Sequence, residues 1–102
     1  MPAKAYIIAE VAVEDAATFE EYRAVVAPTI AAFGGQYIVR GGALSALEGE
    51  APEARIVVIE FPDKAAAEKF WFSEDYAPVA AIRHRSATSR IFMVEGMPQV
   101  EG

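Results

Sequence analysis

The sequence predicts an α+β domain of ferredoxin-like type, β-α-β-β-α-β, with an antiparallel sheet in strand order 4-1-3-2 and both helices on one face. Three observations lead there. Four short β-rich runs, AYIIAEVAV, QYIVRGGALSALE, ARIVVIEF and TSRIFMVEG, alternate with two stretches whose apolar residues recur at helical spacing. The connections are short, and right-handed crossovers leave few other ways to lay four such strands side by side. Finally, the strands are apolar at both parities, which bears on assembly as well as on fold.

Each element has its own local reason. Residues 5–13 read as the first strand, and Asp15 follows as a side-chain acceptor for the free amides of a helix start. Phe19, Tyr22, Val26, Ile30 and Phe33 then recur at three- and four-residue steps as one apolar stripe, with Glu20, Glu21 and Arg23 largely off it. Pro28 removes one donor inside this helix and is expected to kink it. Gly34-Gly35 supplies the residue type that commonly ends a helix. A second extended segment is expected over 36–48, interrupted at Gly41-Gly42, where a bulge or a close backbone approach would fit. EGEAPE is a polar turn, and 54–61 is the third strand. Asp63 caps a second helix, DKAAAEKFWF, whose Ala66, Phe70 and Trp71 are expected to face inward. Ser73, with Glu74 and Asp75, opens a short further helix through APVAAIRHR. Residues 88–96 form the last strand. One domain over 1–96 and a loosely ordered tail over 97–102 complete the organisation.

The sheet presents a problem that the helices alone do not solve. Ile7, Ala9 and Val11 alternate with Tyr6, Ile8 and Ala12, and Val57, Ile59 and Phe61 with Ile56 and Val58. A half-exposed antiparallel sheet normally shows one polar face. Each medium-to-large aliphatic side chain left in water forgoes roughly 1.5–3 kcal/mol, a large share of a total stability of about 5–15 kcal/mol. A second copy is complementary in type, so the expectation is a homodimer with sheets face to face.

Totals narrow the partners. At 102 residues with 54% hydrophobic content, the chain suits a single core with apolar surface to spare. A net charge of −6 argues against nucleic acid and anionic membranes. No apolar run approaches the ~20 residues of a membrane span, and the start MPAKAYIIAEVAV lacks the core and cleavage site of a signal peptide. With no cysteine, disulfide and thiolate chemistry are excluded, and a cytoplasmic protein is the simplest reading. There is no phosphate-binding Gly-rich loop, nucleophile elbow or HExxH motif, and one histidine makes a zinc site improbable, so neither cofactor nor metal is expected.

At GGQYIVRGG, at VVIEFP (57–62) and from FWFSEDY into AAIR, the chain resembles the family called domain of unknown function 1330, over roughly residues 4–96. That resemblance implies a branch of the dimeric α+β barrel superfamily. Its relatives include cofactor-free quinone-forming monooxygenases, haem-degrading monooxygenases, muconolactone isomerase and ligand-sensing modules. It implies no agreed reaction. Haem-degrading relatives use an asparagine-tryptophan-histidine set, and this chain contains no asparagine.

Three groups of residues could carry chemistry. Glu10, Arg40, Glu60 and Arg90 place one charge on each strand. Counting by twos sets Arg40 with Ile38 and Glu60 with Val58, and the hairpin brings Arg40 toward Glu60 while Glu10 meets Arg90. These are either two cross-strand ion pairs or a site in which Arg40 grips a carboxylate or enolate in room opened by Gly41-Gly42. Arg83, His84 and Arg85 form a basic cluster that either complements a helix C-terminus or lines an anion pocket with His84 as acid or base. Phe70, Trp71 and Phe72 beside Tyr76 are core aromatics, yet three in a row cannot face one way, and one must line a cleft, touch a partner or stay exposed. The readings that follow are a small-molecule-binding homodimer and, as alternatives, a cofactor-independent isomerase or monooxygenase and an assembly module without ligand. In the first, an organic acid or planar metabolite sits between sheet and helices near Arg40, Glu60, Trp71, Tyr76, Arg83 and His84. His84 is the candidate catalytic group.

Overall fold

The computed structural model describes residues 3–98, and the tail expected at 97–102 lies mostly outside them. The elements are β1 (Ala5–Val13), α1 (Ala16–Ala32), β2 (Gln36–Arg40), β3 (Arg55–Phe61), α2 (Lys64–Trp71), α3 (Ala77–Ser86) and β4 (Ala87–Glu95). The strands form one antiparallel sheet in the order β2-β3-β1-β4, the expected ferredoxin-like arrangement.

Both expected caps form. The Asp15 carboxylate accepts from the Thr18 amide at 3.2 Å and from the Thr18 hydroxyl at 2.7 Å. Those two bonds hold its carboxyl below the usual range. Asp63 accepts from the Ala66 amide at 2.8 Å. Helix α1 runs unbroken across the exposed Pro28 and gives way at Gly34, whose φ of 84° is the left-handed turn that glycine adopts without a Cβ penalty. Ser73 does not cap α3 itself. Its hydroxyl accepts from the Tyr76 amide at 3.0 Å and so holds the turn that leads into the helix. Helix α3 passes straight into β4, and the buried Ser86 ties that corner down. Its hydroxyl donates to the Ile82 carbonyl at 2.8 Å, and its carbonyl accepts from Glu14 and Asp15 amides at 2.8 and 3.0 Å.

The helices cover one sheet face. Ala5, Ile7, Ile59 and Phe61 meet Val26, Ile30, Ala67, Phe70, Tyr76 and Val79 there, and Ala9 and Val11 meet Phe19 and Ala87. On α2 the fully buried alanine is Ala67, not Ala66, which with Trp71 is only partly covered. The other face carries no helix. A row of directly opposed residues, Val39, Val58, Ile8 and Phe92, crosses all four strands on it. Phe92 is 47% exposed, so the double-sided apolar character read from the alternation is realised as an uncovered apolar face. No helix among the described residues is long and apolar enough to cross a membrane.

Strand β2 departs from expectation. It ends at Arg40, and residues 41–54 have no regular structure and are mostly exposed. The register also slips. Tyr37 opposes Ile59 but Val39 opposes Val58, so β2 spends one residue more than β3 at Ile38. A bulge of this kind changes the face on which every later side chain falls. Arg40 therefore opposes Val57 and lies on the helix-covered face with Tyr37, not with Ile38.

Candidate functional site

The bulge brings Arg40 to a cavity. Between the covered sheet face and the helices lies a cavity of about 40 Å³, floored by the row Arg40, Val57, Ala9 and Ile91 and walled by Phe19, Tyr22, Tyr37, Trp71 and Tyr76. Four arginines line it: Arg23 from α1, Arg40 from β2, Arg55 from β3 and Arg83 from α3. No carboxylate does. A chain of net charge −6 thus gathers four of its nine basic residues around one small space.

Three of the guanidiniums lie over aromatic rings, and none is paired with a carboxylate that lines the cavity. The Arg40 Cζ sits 4.6 Å from the Tyr37 ring centroid, Arg55 5.9 Å from Phe19 and Arg83 5.9 Å from Trp71. Arg23 sends Nη1 outward to Glu20 at 2.9 Å, while its Nε is buried without a hydrogen-bond partner. Arg83 is 5% exposed. Its Nε is likewise buried and unpartnered, and its Nη2 lies 3.4 Å from the His84 ring nitrogen. Arginine is almost never fully buried unless paired, because taking its charge and its donors out of water is costly without compensation.

The glycine after Arg40 serves Arg55. A Cβ on Gly41 would lie 2.6 Å from Arg55 Nη2, and its φ of 68° is itself a glycine conformation. The RGG stretch therefore makes room for the guanidinium of the neighbouring strand.

The tyrosines remain donors. Tyr22 and Tyr76 hydroxyls approach to 3.5 Å. Burial, reinforced by Tyr76, holds the Tyr22 phenol far above its ordinary range. Burial also raises Tyr37, against the opposing pull of the Arg40, Arg23 and Arg55 charges. The cavity thus presents cationic forks and neutral O–H groups, and can accept a small anion through charge-assisted hydrogen bonds.

Of the residues singled out from sequence, the structure puts Arg40, Trp71, Tyr76 and Arg83 on the cavity wall. Glu60 is elsewhere. It lies on the helix-free face, where it accepts from Lys4 at 3.3 Å and Gln36 at 3.5 Å. The expected Arg40–Glu60 pairing is absent because the bulge sends the two side chains to opposite faces. His84 is exposed and does not line the cavity. The Glu10–Arg90 pair forms, at 3.0 Å, between directly opposed residues. Arg23, Arg55, Tyr22 and Tyr37 join the site without having been singled out for it. Two signals pointed to the arginines: Arg55 shares the parity of Val57 and Ile59, and Arg23 follows Phe19 by one helical turn. Among the described residues, no three His, Asp or Glu side chains gather in a way that would hold a metal ion.

The family comparison matches residues 4–97 to DUF1330, a domain of unknown function. The chain belongs to that family. A comparison with curated proteins finds no match. Among solved structures, the DUF1330 chain is similar to a protein of unknown function from Rhodopseudomonas palustris (TM-score 0.76, 16% identity, covering 97% of this chain and 86% of the other). It is also similar to SnoaB, a cofactor-independent oxygenase from Streptomyces nogalater (TM-score 0.66, 17% identity, 98% and 99% covered). A third is a conserved Bacteroides thetaiotaomicron protein described as a possible oxidoreductase (TM-score 0.57, 12% identity, 94% and 100% covered). At these identities the likeness is one of fold.

Proposed function

We propose that this DUF1330 protein is a homodimer that binds the anionic group of a small organic acid in the arginine-lined cavity of each subunit. The observation that carries this reading is the Arg83 guanidinium, 5% exposed with an orphan Nε, in a cavity with three further arginines and no carboxylate. An incoming carboxylate would supply the missing acceptor. Size refines the earlier expectation. A cavity needs roughly 10–15 Å³ of such free space to hold one water, so about 40 Å³ admits an anionic head group but not a whole planar metabolite. Drug-sized ligands take roughly 300–1,000 Å³. Binding is favoured over turnover because His84, the candidate acid or base, stands outside the cavity. The dimer reading rests on the apolar row Val39, Val58, Ile8 and Phe92, which a second copy of the same face would cover.

The test is a thermal melt with sodium acetate or formate at constant ionic strength, on wild type and Arg83→Met. A ligand that binds only the folded state raises the melting temperature by mass action. Wild type should respond and Arg83→Met should not. The variant without ligand should be more stable than wild type by about 1–3 kcal/mol, since a well-packed apolar replacement of an uncompensated buried charge tends to stabilise. No response in wild type, or an equal response in both, contradicts the reading.

A further inference from the structure

The arginine cavity has a neighbour of opposite chemistry. A second hollow, of about 220 Å³, lies between α2 and β4, lined by Trp71, Phe72, Ile91, Phe92 and Met93, with Glu68 the one charged residue among its lining. Ile7, Trp71 and Ile91 belong to both hollows. The sheet row Tyr37, Ile59, Ile7 and Met93 runs unbroken from the floor of the first toward the wall of the second. Trp71 is the shared partition, with the Arg83 guanidinium 5.9 Å from its ring. The second hollow is open and apolar at its rim, where Phe72 is 79% exposed and Met93 39%. Such surface leaves burial free energy unrealised. Its Ile91 and Met93 belong to the opposite parity from Val58 and Ile8, so the proposed dimer face meets the hollow only at Phe92.

We infer that the two hollows form one amphipathic site for a monocarboxylic acid with an apolar tail. The carboxylate lies among Arg23, Arg40, Arg55 and Arg83, and the tail passes Trp71 into the groove of Ile91, Met93 and Phe72. This rests on the reading of the arginine cavity as an anion site and adds which anion fits. Together the two volumes approach the lower end of ordinary ligand pockets, roughly 300 Å³. The charge pattern, cationic at one end and apolar but for Glu68 at the other, is the complement of such an acid and of neither a dicarboxylate nor a neutral hydrocarbon.

Trp71 is the chain's single tryptophan, so its emission reports on both hollows. Titrating wild type with acetate, butyrate and hexanoate at constant ionic strength should show Kd falling by about fourfold per methylene once the tail reaches the groove. Hexanoate should then bind about fifteenfold more tightly than butyrate. Hexylamine, with the same tail and the wrong charge, should not bind. Met93→Gln should flatten the dependence on chain length, and Arg83→Gln should weaken the whole series. If acetate and hexanoate bind alike, the anion reading stands and the two-hollow inference falls. If no carboxylate changes the emission or the melting temperature, both fall. If Phe72→Ser converts the dimer to monomer, a second copy fills the groove and the inference is overturned.

Discussion

The two faces of this sheet treat charge in opposite ways. On the helix-free face, charges have partners. Arg90 donates to Glu10 at 3.0 Å, and Lys4 and Gln36 converge on Glu60. On the covered face, four guanidiniums share a cavity that no carboxylate lines; Arg83 among them is buried, and the Nε donors of Arg83 and Arg23 have no acceptor. At Arg83, stability alone would favour an apolar group of the same volume. In the proposed reading, the paired charges belong to the architecture, and the orphan Nε donors of Arg83 and Arg23 are where an incoming anion would bind.

The largest effect that separates the faces should come from the helix-free side. Replacing Val39 and Phe92 together by Glu puts two charges on the two outer strands of the apolar row, where they disturb the monomer core least. Light scattering should then report one 11.0-kDa chain instead of two, with circular dichroism unchanged. A wild type already monomeric at working concentration would remove the dimer from this account.

A smaller effect is expected at Gly41. Alanine there meets both the left-handed backbone and the Arg55 guanidinium, a combination expected to lower stability by about 1–2 kcal/mol by chemical denaturation. Acetate affinity should fall several-fold as Arg55 is displaced. Gly42, which has open space around its Cα, should tolerate alanine far better and serves as the control.

The covered face should also show itself at alkaline pH. The Tyr22 phenol is raised in the fold above its ordinary value of 10.0, chiefly by burial. A group raised on folding contributes stability that is complete below its unfolded value and is lost as pH climbs toward the folded one. Denaturation curves should therefore weaken above about pH 10, and Tyr22→Phe should blunt that loss. A Tyr22→Phe profile that overlays wild type would show that the phenol titrates freely.

The smallest effect belongs to Glu10. Its pair with Arg90 is largely exposed on the arginine side, so Glu10→Gln should change stability by less than about 1 kcal/mol and leave the acetate response untouched. A large loss would mean that the helix-free face depends on this pair for register.

Much of this fold was legible in the residues. The caps at Asp15 and Asp63, the stripe of α1 and the Glu10–Arg90 opposition are local patterns, readable because helix and strand periods place side chains without knowledge of anything distant. Apolar residues at both parities likewise announced an uncovered face. The site was harder, and one residue explains most of the difficulty. Nothing in QYIVR signals that Ile38 is bulged, yet that extra residue carries Arg40 to the covered face and leaves Glu60 to Lys4 and Gln36. Counting one charge per strand also passed over Arg55, whose parity with Val57 and Ile59 was in plain view, and Arg23 at the edge of the α1 stripe. His84 drew notice as a lone histidine. Its neighbour Arg83 was the residue turned inward.

The most direct measurement of the central claim reads the orphan donors themselves. Arginine side-chain Nε–Hε resonances, followed by NMR while acetate is added at constant ionic strength, should move for Arg83 and Arg23 and stay in place for Arg90, whose partner is already Glu10. Equal shifts at all three, or none at Arg83, would mean that no anion enters the cavity.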